Sequence, residues 1–175
     1  MDRLRGLTAA LFATAVLAPA ASPAGADEER LRGSVVRVES GDTLVLAVAV
    51  DGREIEVRLS DIGAPQGPQF YAPAARNLLE AIVSGRPVDL VITGRTSDDR
   101  VFGRLNAGRL DVNLELVRRG AAWVCWEYSR DTDYLPWENA AKRQRLGLWS
   151  RTLEITALTA CRERPPAERP LFPRS

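Results

Sequence analysis

Histidine is absent from the 175-residue sequence, and lysine occurs only once, at Lys142. Without histidine the chain has no Ser-His-Asp triad, no histidine metal ligand and no histidine acid or base. Schiff-base chemistry needs a lysine in a perturbing environment, and Lys142 lies in a charged predicted helix, where it is a poor candidate. Neither histidine-based nor lysine-based catalysis is therefore expected.

Long apolar runs are also scarce, and the one near the start has the form of a secretory signal. Arg3 and Arg5 precede an apolar run over 7–18, and a small-x-small cleavage site follows at 24–26. We expect residues 1–26 to be a cleaved signal peptide and the protein to be periplasmic or secreted; an uncleaved anchor is the alternative. The run is short for a membrane span, and no span is expected after signal removal.

An excess of positive charge is missing from the remaining chain. Residues 27–175 carry 22 basic and 22 acidic side chains. Dedicated nucleic-acid binders are usually basic, because phosphate contacts dominate their affinity. The neutral balance counts modestly against avid nucleic-acid binding, although a local basic patch is compatible with it.

Cysteine occurs only at Cys125 and Cys161. In an exported protein such a pair is most simply a disulfide, here one that staples the C-terminal segment to the body of the domain. The alternative is a reactive thiol, which would have no histidine partner in this chain.

The remaining pattern predicts one domain over residues 27–150, followed by a tail over 151–175 whose proline-rich end we expect to be disordered. Alternation and turn signals predict strands over 31–39, 43–50, 54–62, 88–93 and 101–106. Helical spacing predicts helices over 73–84, 111–119 and 131–146. The initial three-strand meander is typical of a small OB barrel, so we predict a five-stranded OB-fold barrel with three α-helices.

The corner where the third strand ends carries the candidate site. It spans 58–66 and is read together with Gly41-Asp42-Thr43 and Phe102-Gly103-Arg104. One acid, Asp42, is a hard oxygen ligand for a divalent cation, and Arg58 and Arg104 are bidentate donors suited to phosphate oxygens. The alternatives are ordinary ones: Asp42 as a hairpin residue, and arginines held by backbone carbonyls or by Asp61.

These pieces, in this order and spacing, resemble the staphylococcal nuclease family over roughly residues 33–149. Further matching pieces stand at 112–120 and 147–149. The resemblance implies an OB-fold phosphodiester hydrolase acting on DNA or RNA with calcium. It also implies that Asp42 is a metal ligand and that Arg58 and Arg104 hold the phosphate in the transition state.

The sequence departs from the family pattern R-L-x-x-[IV]-D-[AT]-P-E at two positions of the corner. Gly63 stands where an aspartate metal ligand is usual, and Gln66 stands where the glutamate that activates water is usual. A glycine offers no carboxylate, and a glutamine amide cannot take a proton from water near neutral pH. Phe102 also replaces a tyrosine often found beside the second arginine.

Three further residues could compensate or contribute. Asp61 lies two residues before Gly63, so on an ideal strand its carboxylate would face the same way and could lean toward the metal position. Trp126 and Tyr128 could stack on a base, or could equally belong to the core.

We therefore expect an exported nuclease-like protein whose hydrolytic activity is impaired, with calcium bound weakly if at all and with nucleic acid or a nucleotide as partner. The rival expectation is a non-catalytic binding module that uses the OB groove for a nucleic acid, a glycan or an envelope protein. Gly63 and Gln66 are the positions that separate the two.

Overall fold

The computed structural model describes residues 29–96, 100–125, 132–151 and 161. Eight strands lie in the described ranges: β1 Arg30–Val38, β2 Thr43–Val48, β3 Glu54–Leu59, β4 Ile62–Gly63, β5 Pro87–Arg95, β6 Val101–Ala107, β7 Leu110–Asp111 and β8 Trp123–Val124. The α-helices there are α1 Ala72–Val83, α2 Val112–Arg118 and α3 Leu135–Arg143. Short 3₁₀ turns at Thr132–Tyr134 and Gly147–Ser150 flank α3.

Five of the strands close into a mixed barrel. Antiparallel pairing gives the order β3-β2-β1-β5-β6, and a parallel pairing of β3 with β6 closes the circle. The interior is filled by the apolar side chains that alternate inward along each strand, such as Leu44, Leu46, Val57, Leu90 and Leu105. The predicted five-stranded OB-type barrel with three helices is confirmed.

Helix α1 packs its apolar stripe against the core. Ala75, Leu79 and Ile82 are buried at helical spacing, as the sequence pattern predicts. Gly41, which precedes β2, lies under this helix: a Cβ at Gly41 would stand 2.7 Å from the Cβ of Ala75 and 2.8 Å from the Cβ of Ala64. Only glycine allows this close approach, which brings Asp42 beside the corner.

The predicted third strand is wrong at its end. The strand stops at Leu59, and Asp61 has a φ of 67°, in the left-handed region. The Ser60 N–H donates to the Gly103 carbonyl at 2.8 Å, and the chain then turns away into β4. β4 pairs with β8 in a separate two-stranded sheet, with Gly63 opposite Trp123.

The helical half of the domain is formed by α2 and α3. The Asp111 side chain caps α2 by accepting from the Leu114 N–H at 2.9 Å, and its other oxygen accepts from the Tyr134 hydroxyl at 2.8 Å. The third helix begins at Leu135, later than predicted, because the 3₁₀ turn precedes it. Within the described residues no helix has the length and apolar character needed to cross a bilayer.

The structure contains the predicted disulfide between Cys125 and Cys161, whose Cα atoms are 5.6 Å apart. Both cysteines pack in a small apolar cluster with Trp123 and Leu148. The signal-like segment 1–26 and nearly all of the predicted tail lie outside the described residues.

Candidate functional site

The corner site, as used below, consists of Asp42, Arg58, Asp61, Gln66 and Arg104. Asp42 lies at its centre, directly before β2, and its side chain is fully buried. Its backbone carbonyl accepts from the Leu59 N–H at 2.8 Å, which ties the start of β2 to the end of β3. Sequence-distant segments therefore converge on one carboxylate.

Four protein donors contact the Asp42 carboxylate. Oδ1 accepts from the Ser40 hydroxyl at 2.8 Å, the Thr43 hydroxyl at 3.1 Å and the Gln66 amide Nε2 at 3.2 Å. Oδ2 accepts from the Ala64 backbone N–H at 3.0 Å. A buried carboxylate needs such partners, because an unpaired buried charge is costly. Here the protein itself supplies them.

Arg58 adds a positive charge to this carboxylate. Its Nη2 lies 3.7 Å from Asp42 Oδ2, and only 17% of its side-chain surface is exposed. Val57 and Leu59 on either side of it are buried in the core, so Arg58 points away from the barrel interior. The aspartate predicted to bind a metal and the arginine predicted to bind phosphate thus form an ion pair.

Arg104 is paired in the same manner with a second aspartate. Its Nε donates to Asp61 Oδ2 at 3.2 Å, and the Ser60 hydroxyl donates to the same oxygen at 3.0 Å. Asp61 is nearly buried, whereas 37% of the Arg104 side chain remains exposed. Arg104 therefore has the more accessible guanidinium of the two.

The two arginines stand on neighbouring strands at the seam that closes the barrel. β3 and β6 run parallel there, and Arg58 is in register with Phe102, two residues before Arg104. Both side chains project from the outer surface of the same parallel pair. The corner site thus has two guanidinium groups and two carboxylates, so it carries no net charge.

The alternation argument for Asp61 is wrong. It assumed an extended strand through Gly63, whereas the left-handed φ of Asp61 breaks the alternation. The Asp61 carboxylate accepts from Arg104 and Ser60, and its backbone carbonyl accepts from the Cys125 N–H at 2.9 Å. Asp61 positions Arg104, which is the structural role that the sequence left open as an alternative.

Gly63 has no space for a side chain in this arrangement. A Cβ there would stand 2.7 Å from Nε1 and 2.8 Å from Cε2 of Trp123. Trp123 is buried, and its Nε1 contacts the sulfur of Cys161 at 3.1 Å. The position where the family usually has an aspartate is therefore covered by an indole ring. No feature of the sequence around Gly63 points to this distant tryptophan.

The cation implied by the resemblance can be tested against these donors. Calcium takes about 6–8 oxygen ligands, several of them carboxylates. In the described ranges, no three or more Asp, Glu, His or Cys side chains come together as a metal-binding group. Asp42 is the carboxylate at the predicted position, and the Gln66 amide presents its N–H to it rather than its oxygen. These residues do not fit a calcium site as they are arranged.

Two residues were predicted to stack on a base. Trp126 and Tyr128 lie outside the described residues. Phe102, the position where a tyrosine is usual, is buried at the seam beside Arg58. The sequence reasoning did not identify Ser40 and Thr43 as donors to the Asp42 carboxylate. Both hydroxyl residues lie within two positions of Asp42, and this proximity is the signal that could have identified them.

The comparisons with known proteins agree with the fold. The family described as "Staphylococcal nuclease homologue" matches residues 56–151. An uncharacterized endonuclease of Escherichia coli is 34% identical over 122 residues, which cover 69% of this chain and 78% of that protein. A micrococcal nuclease of Shigella flexneri is 35% identical over 149 residues, covering 79% and 83% of the two chains. Protein ParB of Escherichia coli is 37% identical over 146 residues, covering 74% and 77%. The chain therefore belongs to the staphylococcal nuclease family.

Proposed function

We propose that the protein is an exported nuclease-family domain that binds phosphates of nucleic acid or nucleotides at the corner site and hydrolyses DNA or RNA poorly. The observation that carries this proposal is that four protein donors, one of them the Gln66 amide, hydrogen-bond the two oxygens of the Asp42 carboxylate. A carboxylate whose oxygens are already engaged is a weak ligand for a divalent cation, because binding would require those hydrogen bonds to break.

Phosphate binding is supported by the two guanidinium groups. Arg58 and Arg104 lie on adjacent strands at the seam, and a guanidinium presents a planar fork of donors that matches phosphate oxygens. Each arginine is paired with a nearly buried aspartate, which fixes its position. The same pairing offsets its charge, so we expect phosphate affinity to be moderate rather than high.

The residue at the family's water-activating position is Gln66. A positioned general base contributes roughly 10²–10⁴-fold to a reaction rate. An amide cannot act as that base, and the missing carboxylate at Gly63 lowers the rate further. We therefore expect turnover several orders of magnitude below that of a family member with both carboxylates.

Export is supported by the signal-like pattern at 1–26 and by the disulfide, a bond that is stable mainly in oxidising compartments. A periplasmic or secreted protein would meet nucleic acid outside the cytoplasm. The matched experiment is fractionation of cells that express the full chain, followed by N-terminal sequencing. A mature form that begins near Asp27 is the expected result.

The second candidate is a non-catalytic binding module for nucleic acid, a glycan or an envelope protein. The specific observation in its favour is that Gln66 completes the hydrogen bonding of Asp42, giving a corner that is stable without a cation. If the binding module takes a nucleic acid or a nucleotide, Arg58 and Arg104 would contact its phosphates in both candidates. They differ in whether any bond is cut.

A plasmid-nicking assay separates the two candidates. The mature protein is incubated with supercoiled plasmid in calcium and then in chelator, beside the variant Gln66→Glu. Gln69→Glu is the matched control, because it adds the same charge to the same loop at an exposed residue. The Gln69 side-chain oxygen already accepts from the Gln66 backbone N–H at 2.8 Å, and a glutamate oxygen can do the same. We expect weak cutting by the natural chain and a gain in Gln66→Glu that Gln69→Glu does not show.

Robust chelator-sensitive cutting by the natural chain would overturn the impaired-activity proposal. If the natural chain and Gln66→Glu both fail to cut but bind a short oligonucleotide, the binding module is correct. If neither cuts nor binds it, the phosphate role of the corner is wrong, and the glycan or envelope partner becomes the candidate to test.

A further inference from the structure

Basic side chains are concentrated at the C-terminal ends of α2 and α3. Residues 112–125 and 132–151 contain six basic side chains and three acidic ones. The basic residues are Arg118, Arg119, Lys142, Arg143, Arg145 and Arg151, and the acidic residues are Glu115, Asp133 and Glu138. The rest of the described domain is close to balanced. The full segment 112–151, which includes residues outside the described ranges, has seven basic and five acidic side chains, so its net excess is small and the basic groups lie mainly at the helix ends.

Two of the three described acidic residues in this segment are withdrawn from the surface. Glu115 and Glu138 are both nearly buried. Glu138 accepts from the Val124 backbone N–H at 3.0 Å and from Lys142 Nζ at 2.9 Å. A ligand in solvent cannot contact these buried carboxylates directly, whereas the basic groups beside them are exposed. The charged groups that a ligand can contact around Glu115 and Glu138 are therefore basic ones.

One carboxylate organises two arginines at the end of α2. Arg119 Nε lies 2.6 Å from Glu115 Oε1, and Arg118 Nε lies 3.7 Å from Glu115 Oε2. Both arginine side chains are 56% exposed. Two guanidinium groups share one negative charge, so the cluster keeps a net positive charge and is held in a defined position by a buried anchor.

An aromatic ring lies against the same cluster. Trp137 on α3 is 43% exposed, and the guanidinium carbon of Arg118 lies 5.7 Å from its ring centroid. An exposed tryptophan is unusual on a domain surface, and large exposed aromatic side chains commonly serve as contact residues. A flat ring beside arginines is the arrangement on which a nucleobase stacks while its phosphates are held.

The chain segment after α3 packs against the end of α2. A Cβ at Gly147 would stand 3.0 Å from the carbonyl oxygen of Arg119. The Leu148 N–H donates to the Gly120 carbonyl at 2.8 Å. Arg145, two residues before Gly147, is exposed. The surface defined by Arg118, Arg119, Trp137 and Arg145 is called the helical basic face below.

We propose that the helical basic face is a second nucleic-acid contact surface, which binds single-stranded DNA or RNA by stacking a base on Trp137 and holding phosphates with the arginines. None of its residues belongs to the corner site. Charge complementarity and the exposed ring argue for a single strand, because bases in a duplex are not available for stacking. The inference goes beyond the proposed function and does not depend on any cutting.

The test measures binding of fluorescein-labelled (dT)12 by fluorescence anisotropy, with chelator present, and binding of unlabelled (dT)2 by calorimetry. The first variant is Trp137→Ala. The second is Arg119→Gln with Arg145→Gln, which leaves Arg118 against Glu115 so that the buried carboxylate keeps a partner. The matched control is Arg32→Gln with Arg53→Gln: both arginines are exposed on the barrel, both are paired with surface aspartates, and the charge change is the same.

We expect Trp137→Ala to weaken (dT)12 binding by about 5- to 150-fold, the range for removing one stacked base. The double arginine variant should lower the slope of log affinity against log salt by about 1.4, because each phosphate of a single strand that an arginine neutralises adds roughly 0.7 to that slope. The control pair should change neither quantity beyond a small effect of net charge. Binding of (dT)2 at the corner should be unaffected by all three variants.

Equal (dT)12 affinity in the face variants and the control pair would overturn the proposal. If the face variants instead lose binding to vesicles of phosphatidylglycerol while (dT)12 binding is unchanged, the face contacts anionic membrane and the single-strand assignment is wrong. If Trp137→Ala does not fold, two other variants decide the outcome. They are the double arginine variant and Trp137→Phe, which retains a ring. Failure of (dT)2 to bind would count against the corner alone, so the two proposals fail separately.

Discussion

Gly63 faces Trp123 across the two-residue pairing of β4 with β8, and the indole occupies the space that any side chain at Gly63 would need. The resemblance places an aspartate at Gly63, and its absence is not the whole difference. A bulky, buried ring has taken the adjoining space and is held there by contact with Cys161. Restoring the carboxylate requires room as well as the right residue.

This relationship predicts that Gly63→Ala is destabilising. The added methyl group would stand 2.7 Å from Trp123 Nε1, and overpacking in a well-packed region typically costs about 1–3 kcal/mol. Urea denaturation should show the loss as a lower midpoint. Gly94→Ala is the control, because no atom lies within 4 Å of a Cβ at that glycine and its φ is not positive.

A double-mutant cycle then identifies the cause. Trp123→Ala removes the ring, so Gly63→Ala should cost much less in the Trp123→Ala background than in the natural chain. An unchanged cost in both backgrounds would show that the ring is not what excludes a side chain. The same reasoning predicts that adding Gly63→Asp to Gln66→Glu will raise activity above that of Gln66→Glu alone only when Trp123 is also made small.

A second prediction concerns the stability contributed by Asp42. Asp42→Ala would leave the Ala64 N–H and two hydroxyl groups without their acceptor and Arg58 without its ion pair. Each unsatisfied buried polar group costs about 1–3 kcal/mol, so we expect a loss of roughly 3 kcal/mol or more in the free energy of unfolding. Asp51→Ala, at an exposed hairpin aspartate, is the control and should change stability by less than about 1 kcal/mol. Comparable losses in both variants would mean that Asp42 is an ordinary turn residue.

The barrel could be predicted from the sequence because its signals are local. Alternating apolar residues, the Asp51-Gly52 turn and helical spacing in α1 each depend on neighbours within a few positions. The predicted strands and helices accordingly match the structure within a few residues. The error at the third strand arose where a backbone contact with Gly103, far along the chain, turns the strand at Ser60 and Asp61.

The site was predictable in its members but not in its pairings. Asp42, Arg58 and Arg104 could be selected by residue type and position. That Gln66 donates to Asp42, that Asp61 pairs with Arg104 and that Trp123 covers Gly63 all depend on contacts between segments distant in sequence. Sequence spacing carries no information on which of several polar groups will satisfy a buried carboxylate.

A third prediction separates charge from geometry at Arg104. Arg104→Lys keeps a positive charge near Asp61, so the fold should be retained. An ammonium group lacks the planar fork of a guanidinium, and we expect (dT)2 affinity to fall by about tenfold, the value of one charge-assisted hydrogen bond. Arg109→Lys, at an exposed turn outside the corner site, is the control and should bind (dT)2 as the natural chain does. Unchanged affinity in Arg104→Lys would assign that arginine a structural role only.

The last prediction concerns the disulfide, which joins residues 36 positions apart and lies next to the corner. A cross-link of that span stabilises a protein by about 3–4 kcal/mol through the entropy of the unfolded chain. Cys125 also donates its N–H to the Asp61 carbonyl, and Cys161 contacts the Trp123 indole. Reduction should therefore lower the unfolding midpoint and change the tryptophan fluorescence of the folded protein.

Mass spectrometry before and after reduction should show a gain of two hydrogen atoms, and an unchanged mass would mean that the cysteines are not bonded in solution. The variant Cys161→Ser leaves Cys125 in place and should reproduce the reduced state in both stability and fluorescence. If (dT)2 affinity also falls in that variant while the protein remains folded, the disulfide supports the position of Arg104 through the contacts of Cys125 with Asp61 and of Asp61 with Arg104. Retained affinity would instead confine the disulfide to stabilising the fold, because Asp61 would then hold Arg104 without help from β8.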